Sequence, residues 1–231
     1  MTIRGGPQFI PRPAAAEPGP PAPWSEIPAD ERVISIERVR AAFAGRGHGR
    51  PSAAEAPGVR ASAVLAAFYE QQGQARILFT RRAWHLRAHR GEVSFPGGAV
   101  DRDETPVDAA RREAKEEIGL DPSTVEIIGE LDHLTTITSR SFIVPYVAVL
   151  DAPPVGLTPN PSEVAAVLHV PVDELLRDDV FRAERWPWPS GGMRAIYFFE
   201  LVGDTLWGAT AAMVRQLLAW CLGVEVGIDH H

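Results

Sequence analysis

Three acidic residues of this 231-residue chain have a spacing that could do chemistry. Glu113, Glu116 and Glu117 stand at positions i, i+3 and i+4, which places three carboxylates on one side of an α-helix. Like charges so close together repel, and a bound divalent cation would offset that cost. Hard oxygen ligands suit magnesium, which keeps several waters and typically bridges to the phosphates of a substrate. The alternative is a solvated acidic face, paired with the neighbouring Arg111, Arg112 and Lys115.

The flanking residues predict where this helix begins and ends. Thr105 is the expected N-cap, Pro106 occupies the first helical position, and Asp108 closes a capping box. Gly119 is the expected stop, because a residue without a Cβ can turn left-handed there. Apolar residues at three- and four-residue spacing give the helix a buried face. They are Val107, Ala110, Ala114 and Ile118.

The wider pattern resembles the signature of the Nudix hydrolase family. Gly98 is followed six residues later by Glu104, and then by Arg112-Glu113, Glu116-Glu117 and Gly119, so every defining position is matched. The resemblance implies an α/β fold, the Nudix-type α/β/α sandwich, with a mixed β-sheet and the signature loop–helix–loop. It also implies a metal-dependent hydrolase. Such an enzyme adds water to one phosphorus of the pyrophosphate in a nucleoside diphosphate linked to a further group.

The resemblance also implies a role for each polar residue of the signature. The metal, Mg²⁺ or Mn²⁺, would neutralise phosphate oxygens and lower the pKa of the attacking water. Arg112 would pair with Glu104 and hold the acidic face in position. Glu163, on a later loop, is either the base that activates the water or an ordinary glutamate at the edge of a strand or helix. The implied metal ligands are the carbonyl of Gly97 and the carboxylates of Glu113, Glu116 and Glu117. The implied catalytic residues are Glu104, Arg112, Glu116, Glu117 and Glu163.

A run of arginines, within residues 78–98, comes immediately before the acidic helix. An isolated run of this kind is ordinarily a basic surface loop, but a pyrophosphate substrate needs charge-assisted donors at this place. The spacing resembles the extra signature of the coenzyme A pyrophosphatase branch of the family, with Phe79 where leucine is usual. The matching positions are Thr80, Arg82, Ala83, Arg87, Gly91 and residues 95–98.

That second resemblance implies coenzyme A as the substrate, with 3′,5′-ADP and 4′-phosphopantetheine as products. The predicted substrate-binding residues are Arg81, Arg82, Arg87, Arg90 and Phe95. Two other functions remain open. One keeps the chemistry but acts on ADP-ribose, a dinucleotide or an oxidised nucleotide. The other is a non-catalytic module that binds a coenzyme A-type ligand, which the glutamates disfavour because a pure binder has no need of clustered acids.

Composition limits the class of protein. No run approaches the roughly 20 apolar residues of a membrane span, so we expect no membrane partner. The net charge of −7 and the pI near 5.5 argue against a nucleic-acid-binding surface, which leaves a small-molecule substrate. The single cysteine, Cys221, excludes an internal disulfide and a cysteine-based zinc site. Because the start has no basic-then-apolar signal segment, we expect a cytoplasmic protein.

We expect one catalytic domain, residues 31–225, between two appendages. Residues 1–30 hold eight prolines and are predicted to form an extended or disordered arm. The anchors of this arm, Phe9, Ile10 and Trp24, would dock either on the domain or on the partner subunit of a homodimer. Residues 226–231 are predicted to be a polar tail.

Hydrophobic patterning predicts the remaining elements. We expect helices over residues 34–43, 172–176 and 206–222. The expected strands are 61–69 and 75–80, joined as a hairpin, together with 125–131, 142–150 and 193–202. Residues 133–141, 153–161 and 181–192 are predicted loops, the first of them a loop or strand–turn near the site.

Overall fold

A computed structural model of the chain describes residues 4–52, 55, 59–135, 141–188 and 191–228. The strands, in chain order, are β1 (Glu17–Pro18), β2 (Arg60–Gln71), β3 (Gln74–Arg82), β4 (Val93–Ser94), β5 (Gly97–Ala99), β6 (Val125–Glu130), β7 (Leu134–Thr135), β8 (Ser141–Leu150), β9 (Val164–Pro171), β10 (Phe181–Pro187), β11 (Met193–Glu200) and β12 (Thr205–Trp207). The helices are α1 (Ile36–Phe43), α2 (Pro106–Ile118), α3 (Val172–Leu175) and α4 (Gly208–Cys221).

The larger sheet is mixed, as predicted. Its strands follow the order β4-β3-β2-β8-β6, with β5 paired to β2, β7 to β8 and β9 to β3. Strands β2 and β8 run parallel and the other pairs are antiparallel. Part of the predicted segment 133–141 is strand β7, and residues 136–140 lie outside the described residues.

The predicted hairpin is confirmed and places the arginine run. Gln72 and Gly73 form its turn with φ of 54° and 75°, the two positive values that a tight hairpin turn requires. Successive side chains of β3 then point to opposite faces of the sheet. Leu78 packs in the cluster that contains α2, while Phe79 packs in the cluster that contains α1 and α4. Arg81 and Arg82, further along the same strand, are therefore expected on opposite faces.

The predicted acidic helix is confirmed as α2. The Thr105 hydroxyl accepts a hydrogen bond from the Asp108 N–H at 3.3 Å, and Gly119 ends the helix with φ of 71°. Ala110, Ala114 and Ile118 are buried against β2 and β8 residues. This packing fixes α2 on one face of the mixed sheet, with α1 and α4 on the other, which is the predicted sandwich.

A second sheet has the order β1-β10-β11-β12. The sequence predicted its strand β11 but not β10. Residues 193–202 contain the predicted strand, but the predicted loop at 181–192 is wrong because Phe181–Pro187 is a strand. Phe181 and Ala183 face the core while Arg182 projects from the other face, so the alternation of a strand was present in the sequence. The tryptophans and prolines that follow obscured it.

Parts of the proline-rich arm pack on the domain. Trp24 is buried in the core, Ile10 is partly buried, and Phe9 is exposed. The Gln8 side chain donates a hydrogen bond to the Asp204 carboxylate at 2.8 Å. Trp24 is thus the predicted anchor that docks on the domain.

The C-terminal helix closes the core. Cys221 is buried, as expected for a small core residue. The predicted tail is not wholly free, because Ile228 is buried and the Trp220 indole N–H donates to the carbonyl of Val226 at 2.9 Å. Within the described part of the chain, no helix has the length and apolarity to cross a membrane.

Candidate active site

Glu117 is the most deeply placed acid of the α2 helix. Only 4% of its surface is exposed, and one carboxylate oxygen accepts a hydrogen bond from the Gly97 N–H at 3.3 Å. Burial raises the pKa of Glu117 to about 7; Glu113 and Glu163 add to this shift, while the Gly97 N–H and Arg82 oppose it. No arginine or lysine among the described residues forms an ion pair with Glu117. A buried carboxylate without a cationic partner is costly, and a bound cation would remove that cost.

Arg112 connects the other acids of the site. Its guanidinium makes a bidentate pair with Glu104 at 2.9 and 3.0 Å, so the predicted pairing is confirmed. Its Nη1 donates to Glu113 at 2.9 Å and to Glu116 at 3.0 Å. Its Nη2, one of the two nitrogens that bind Glu104, also donates to the carbonyl of Ala99 at 3.0 Å. The hydrogen bonds from Arg112 hold the pKa of Glu104 below its usual value. Arg112 therefore positions two of the three predicted carboxylate ligands.

Two glycines let strand β5 approach both α2 and β2 closely. Gly97 has φ of 156°, and a Cβ there would lie 2.2 Å from the carbonyl oxygen of Ala63. A Cβ at Gly98 would lie 2.4 Å from the Glu113 carboxylate and would displace that side chain. Gly97 therefore lets β5 approach β2, and Gly98 leaves room for the Glu113 carboxylate.

The donors of the site fit a divalent cation, although they do not converge on one point. Among the residues that the structure describes, no three histidine, cysteine or acidic side chains form a ready metal-binding group. Arg112 holds Glu113 and Glu116 at hydrogen-bond distance instead. Burial also raises the pKa of Glu113, against the opposing effect of Arg112. Carboxylate oxygens are the hard ligands that suit Mg²⁺ or Mn²⁺, and the charge of a bound cation would favour their ionised form.

Arg82 is the predicted substrate-binding residue that lies beside these acids. It ends β3, opposite Val164 of β9, and its charge acts on Glu117. Its Nε is buried without a hydrogen-bond partner in the described structure. An unsatisfied N–H of a guanidinium next to a buried acid would gain a partner from a bound anionic ligand.

Two predicted substrate-binding residues, Arg81 and Phe95, require correction. Arg81 points to the opposite face of β3 and makes a bidentate ion pair with Asp204 at 2.8 and 2.6 Å. Phe95 is only 2% exposed and stacks on Phe79 with ring centroids 4.8 Å apart, so it belongs to the core. Strand alternation separates Arg81 from its neighbour, and the apolar ring of Phe95 is buried in spite of the charged residues around it.

Arg87 and Arg90 lie on the segment between β3 and β4. Both are exposed, and neither has an ion-pair partner within the described residues. The segment is closed by hydrogen bonds from the Arg82 N–H to the Glu92 carbonyl at 2.9 Å and from the Gly91 N–H to the Arg82 carbonyl at 3.2 Å. The two predicted arginines are therefore exposed on a loop that follows Arg82 and is closed by backbone hydrogen bonds.

Glu163 lies close to the acidic helix. Its carbonyl accepts a hydrogen bond from the Ala83 N–H at 2.7 Å, and its charge raises the pKa of both Glu113 and Glu117. Its side chain is exposed, directly before β9. This position suits the predicted base and also the edge of a strand, so the role of Glu163 stays a prediction.

Two residues of this region were not singled out from the sequence. Asp204 carries no local signal, since its partner Arg81 lies 123 residues away. Trp84 is 44% exposed and follows Arg82 by two residues. Its position among histidines and arginines could have been used to predict an exposed aromatic residue from the sequence.

A cavity of about 570 Å³ lies elsewhere, between the loop after α1, the end of β6 and the end of α4. Its charged groups pair with each other, Arg46 with Glu225 and Arg50 with Asp132. None of its lining residues belongs to α2 or to the arginine run. The candidate active site is identified instead by Glu117, a buried acid that has no ion-pair partner among the described residues.

Comparison with known proteins points to one family. The family model described as NUDIX domain matches residues 59–189, more than half of the chain. The protein named Nudix hydrolase 22, chloroplastic, from Arabidopsis thaliana is 37% identical over 161 residues, which are 67% of this chain and 53% of that protein. Nudix hydrolase 3 from Caenorhabditis elegans is 40% identical over 172 residues, which are 68% of this chain and 72% of that protein.

A bacterial relative gives the same result. The protein named Uncharacterized Nudix hydrolase NudL from Escherichia coli is 35% identical over 159 residues, which are 66% of this chain and 78% of that protein. The chain spans only a little over half the length of its plant relatives, 53% and 56%.

Proposed function

Because this chain belongs to the Nudix family, we propose that it is a metal-dependent pyrophosphohydrolase acting on coenzyme A or its derivatives. The products would be 3′,5′-ADP and 4′-phosphopantetheine. The observation that carries the proposal is a buried acid without an ion-pair partner among the described residues, close to an arginine whose Nε has no hydrogen-bond partner there. Glu117 is buried on α2, and Arg82 acts on it from the end of β3 while its Nε has no partner in the described structure.

Different side chains would have different roles in hydrolysis. Glu113, Glu116 and Glu117 would hold Mg²⁺ or Mn²⁺, which would supply positive charge for the phosphate oxygens and lower the pKa of water. Arg82 donates hydrogen bonds to a phosphate oxygen, where charge grows as the anhydride bond breaks. Glu163 accepts a proton from the attacking water.

Positioning is the task of the remaining signature residues. Arg112, fixed by Glu104, keeps Glu113 and Glu116 on the substrate side of α2. Gly98 leaves space for the Glu113 carboxylate. The N–H of Gly97 holds Glu117 at the base of the site.

The choice of coenzyme A is supported by the arginine run. Its spacing resembles the coenzyme A pyrophosphatase signature, and Arg87 and Arg90 are exposed without ion-pair partners in the described part of the chain. Coenzyme A carries a 3′-phosphate in addition to its diphosphate, so it needs more cationic donors than an ordinary nucleotide. The predicted cytoplasmic location and homodimer stay predictions.

The test of the substrate is a comparison of kcat/KM for coenzyme A and for ADP-ribose, each with Mg²⁺ and with Mn²⁺. We expect coenzyme A to be preferred by at least about 10-fold, since a site built to bind an extra phosphate loses that contact with ADP-ribose. A preference for ADP-ribose or a dinucleotide would keep the chemistry and change the substrate. Tight, metal-independent binding of coenzyme A without hydrolysis would instead indicate a binding module.

A further inference from the structure

Trp84 is a large aromatic residue to which the proposed function gives no role. It is 44% exposed and lies on the segment between β3 and β4, two residues after Arg82. We propose that the exposed face of the Trp84 indole is the stacking platform for the nucleobase of the substrate. This inference rests on the proposed function, because it takes the substrate to be a nucleoside diphosphate derivative.

The indole is held in place by its own segment. A Cβ at Gly91, where φ is +70°, would lie 2.3 to 2.7 Å from three carbons of the Trp84 ring, so the ring packs directly on that glycine. His89 also has a positive φ, 54°, which a residue other than glycine rarely adopts. The bonds of the Arg82 N–H to Glu92 and of the Gly91 N–H to Arg82 close the segment behind the ring. A platform fixed before binding loses little side-chain entropy when a ligand arrives.

The segment that carries Trp84 adjoins the proposed hydrolytic site. The neighbouring Ala83 N–H donates to the carbonyl of Glu163 at 2.7 Å, and Arg82 acts on Glu117, so the segment borders the proposed hydrolytic site. A base held on Trp84 would therefore lie within a nucleotide's length of a diphosphate held at Arg82.

The charges around Trp84 favour a nucleotide over an apolar partner. Arg87 and Arg90 are exposed on the same segment, and neither has an ion-pair partner among the described residues. A protein or lipid surface would require a contiguous apolar patch, whereas Trp84 stands among polar residues. An aromatic face with adjacent cations is the combination that binds a base together with its phosphates.

The test compares two probes that share a sugar and a phosphate but differ in the base. AMP carries adenine and ribose 5-phosphate does not, and neither contains an anhydride that the enzyme could cleave. Calorimetry on the full chain would give the Kd of each probe for the wild type, Trp84→Leu and Trp84→Phe. We expect Trp84→Leu to weaken AMP binding by about 5-fold to 100-fold without changing the Kd of ribose 5-phosphate. Trp84→Phe, which keeps an aromatic face, should recover most of the AMP affinity.

Several results would overturn the inference. One is a wild type that binds AMP no more tightly than ribose 5-phosphate; another is a Leu variant that weakens both probes equally or neither. A Leu variant whose mass by light scattering falls to that of a smaller assembly would assign Trp84 to a contact between copies. Because binding is measured without turnover, the two proposals can fail separately. If the wild type cleaved no coenzyme A but Trp84→Leu selectively weakened AMP binding, the stacking role of Trp84 would stand and the proposed substrate would be rejected.

Discussion

Arg112 is the residue on which the arrangement of the acids depends. It contacts Glu104, Glu113 and Glu116 at about the same distance, 2.9 to 3.0 Å, so its planar fork fixes three carboxylates at once. A lysine would keep the positive charge but would lack the planar guanidinium whose several N–H donors reach these carboxylates. The proposed metal ligands would then lose their common orientation.

We therefore predict that Arg112→Lys weakens Mn²⁺ binding by about 10- to 100-fold, the usual cost of losing a residue that orients metal ligands. Titration calorimetry of the metal would measure it. Arg111→Lys is the matched control, since Arg111 lies on the same helix and donates to the carbonyl of Val125 at 3.4 Å. Equal metal affinities of the two variants would contradict the orienting role.

Arg82 is the second residue for which we make a specific prediction, and that prediction concerns substrate binding. Its Nε is buried and unpartnered in the described structure, so its removal breaks no bond of the fold but removes a donor to the substrate. We predict that Arg82→Gln lowers kcat/KM for coenzyme A by roughly 10- to 100-fold, the cost of hydrogen bonds to a charged group. The Tm should stay near that of the wild type.

The control for this variant is Arg185→Gln, because Arg185 is exposed on β10 in the second sheet. It changes the net charge by the same amount away from the site. If both variants lowered kcat/KM equally, the effect would come from overall charge and not from a contact made by Arg82.

At the scale of elements, β3 separates two adjacent arginines. Arg82 faces α2, whereas Arg81 is bound by Asp204 of the segment between β11 and β12, and Gln8 of the arm donates to the same carboxylate. Asp204 therefore joins the arm, the second sheet and the mixed sheet in one buried network. Its role is to hold elements together and not to bind substrate.

We predict that Asp204→Asn lowers the free energy of unfolding by about 1 to 3 kcal/mol, since it leaves Arg81 without its counter-charge in a largely buried place. Its kcat/KM, measured well below its Tm, should stay close to that of the wild type. Urea denaturation would measure the stability. Glu126→Gln removes the exposed pair of Glu126 with Arg40 and should lower the free energy of unfolding much less than Asp204→Asn does. A larger loss of stability in the control would contradict the account.

Local signals explain which elements were predictable. The α2 helix was placed correctly because Thr105, Pro106 and Gly119 act within one turn of its ends. The strand Phe181–Pro187 was missed because its alternation is short and runs into tryptophans and prolines. In the site, the acids and Arg82 follow from motif spacing. The ion pair of Arg81 could not be predicted from motif spacing. It depends on which face of β3 the side chain occupies and on a partner 123 residues away, and both are set by the tertiary structure.

At the scale of the whole molecule, pH should act through a cluster of His133, Glu130 and Glu55 near the end of β6. The His133 ring contacts Glu130 at 2.6 Å and also contacts Glu55. Burial disfavours the charged ring, but the hydrogen bonds to Glu130 and Glu55 outweigh it and raise the pKa of His133. Burial likewise opposes the charge of Glu130, yet the bonds from His133 and His48 lower the pKa of that carboxyl.

The two shifts have opposite consequences for stability. A raised pKa means that the contribution of His133 is present below its unfolded pKa of about 6.5 and is lost as pH rises through the folded value. A lowered pKa means that the contribution of Glu130 is present above about pH 4.3 and is lost as pH falls through the folded value. We predict that this cluster stabilises the fold most between about pH 4.5 and 6.5. Urea midpoints of the wild type and His133→Gln should converge as pH rises above about 6.5; a gap that does not narrow would refute this.

The central claim is that Glu117 is buried to hold a cation and not to stabilise the fold. Folding raises the pKa of Glu117 to about 7, so its ionisation destabilises the fold as pH rises from the unfolded value towards 7. Glutamine at this position would remove that cost together with the ligand. Loss of activity should therefore come without loss of stability.

The most direct test is kcat/KM for coenzyme A with saturating Mg²⁺ in Glu117→Gln, alongside its Tm without metal. We predict a loss of at least about 100-fold in kcat/KM, since removing a ligand removes charge stabilisation in the transition state, with a Tm equal to or above that of the wild type. Activity at the wild-type level in a folded Glu117→Gln protein would contradict the account.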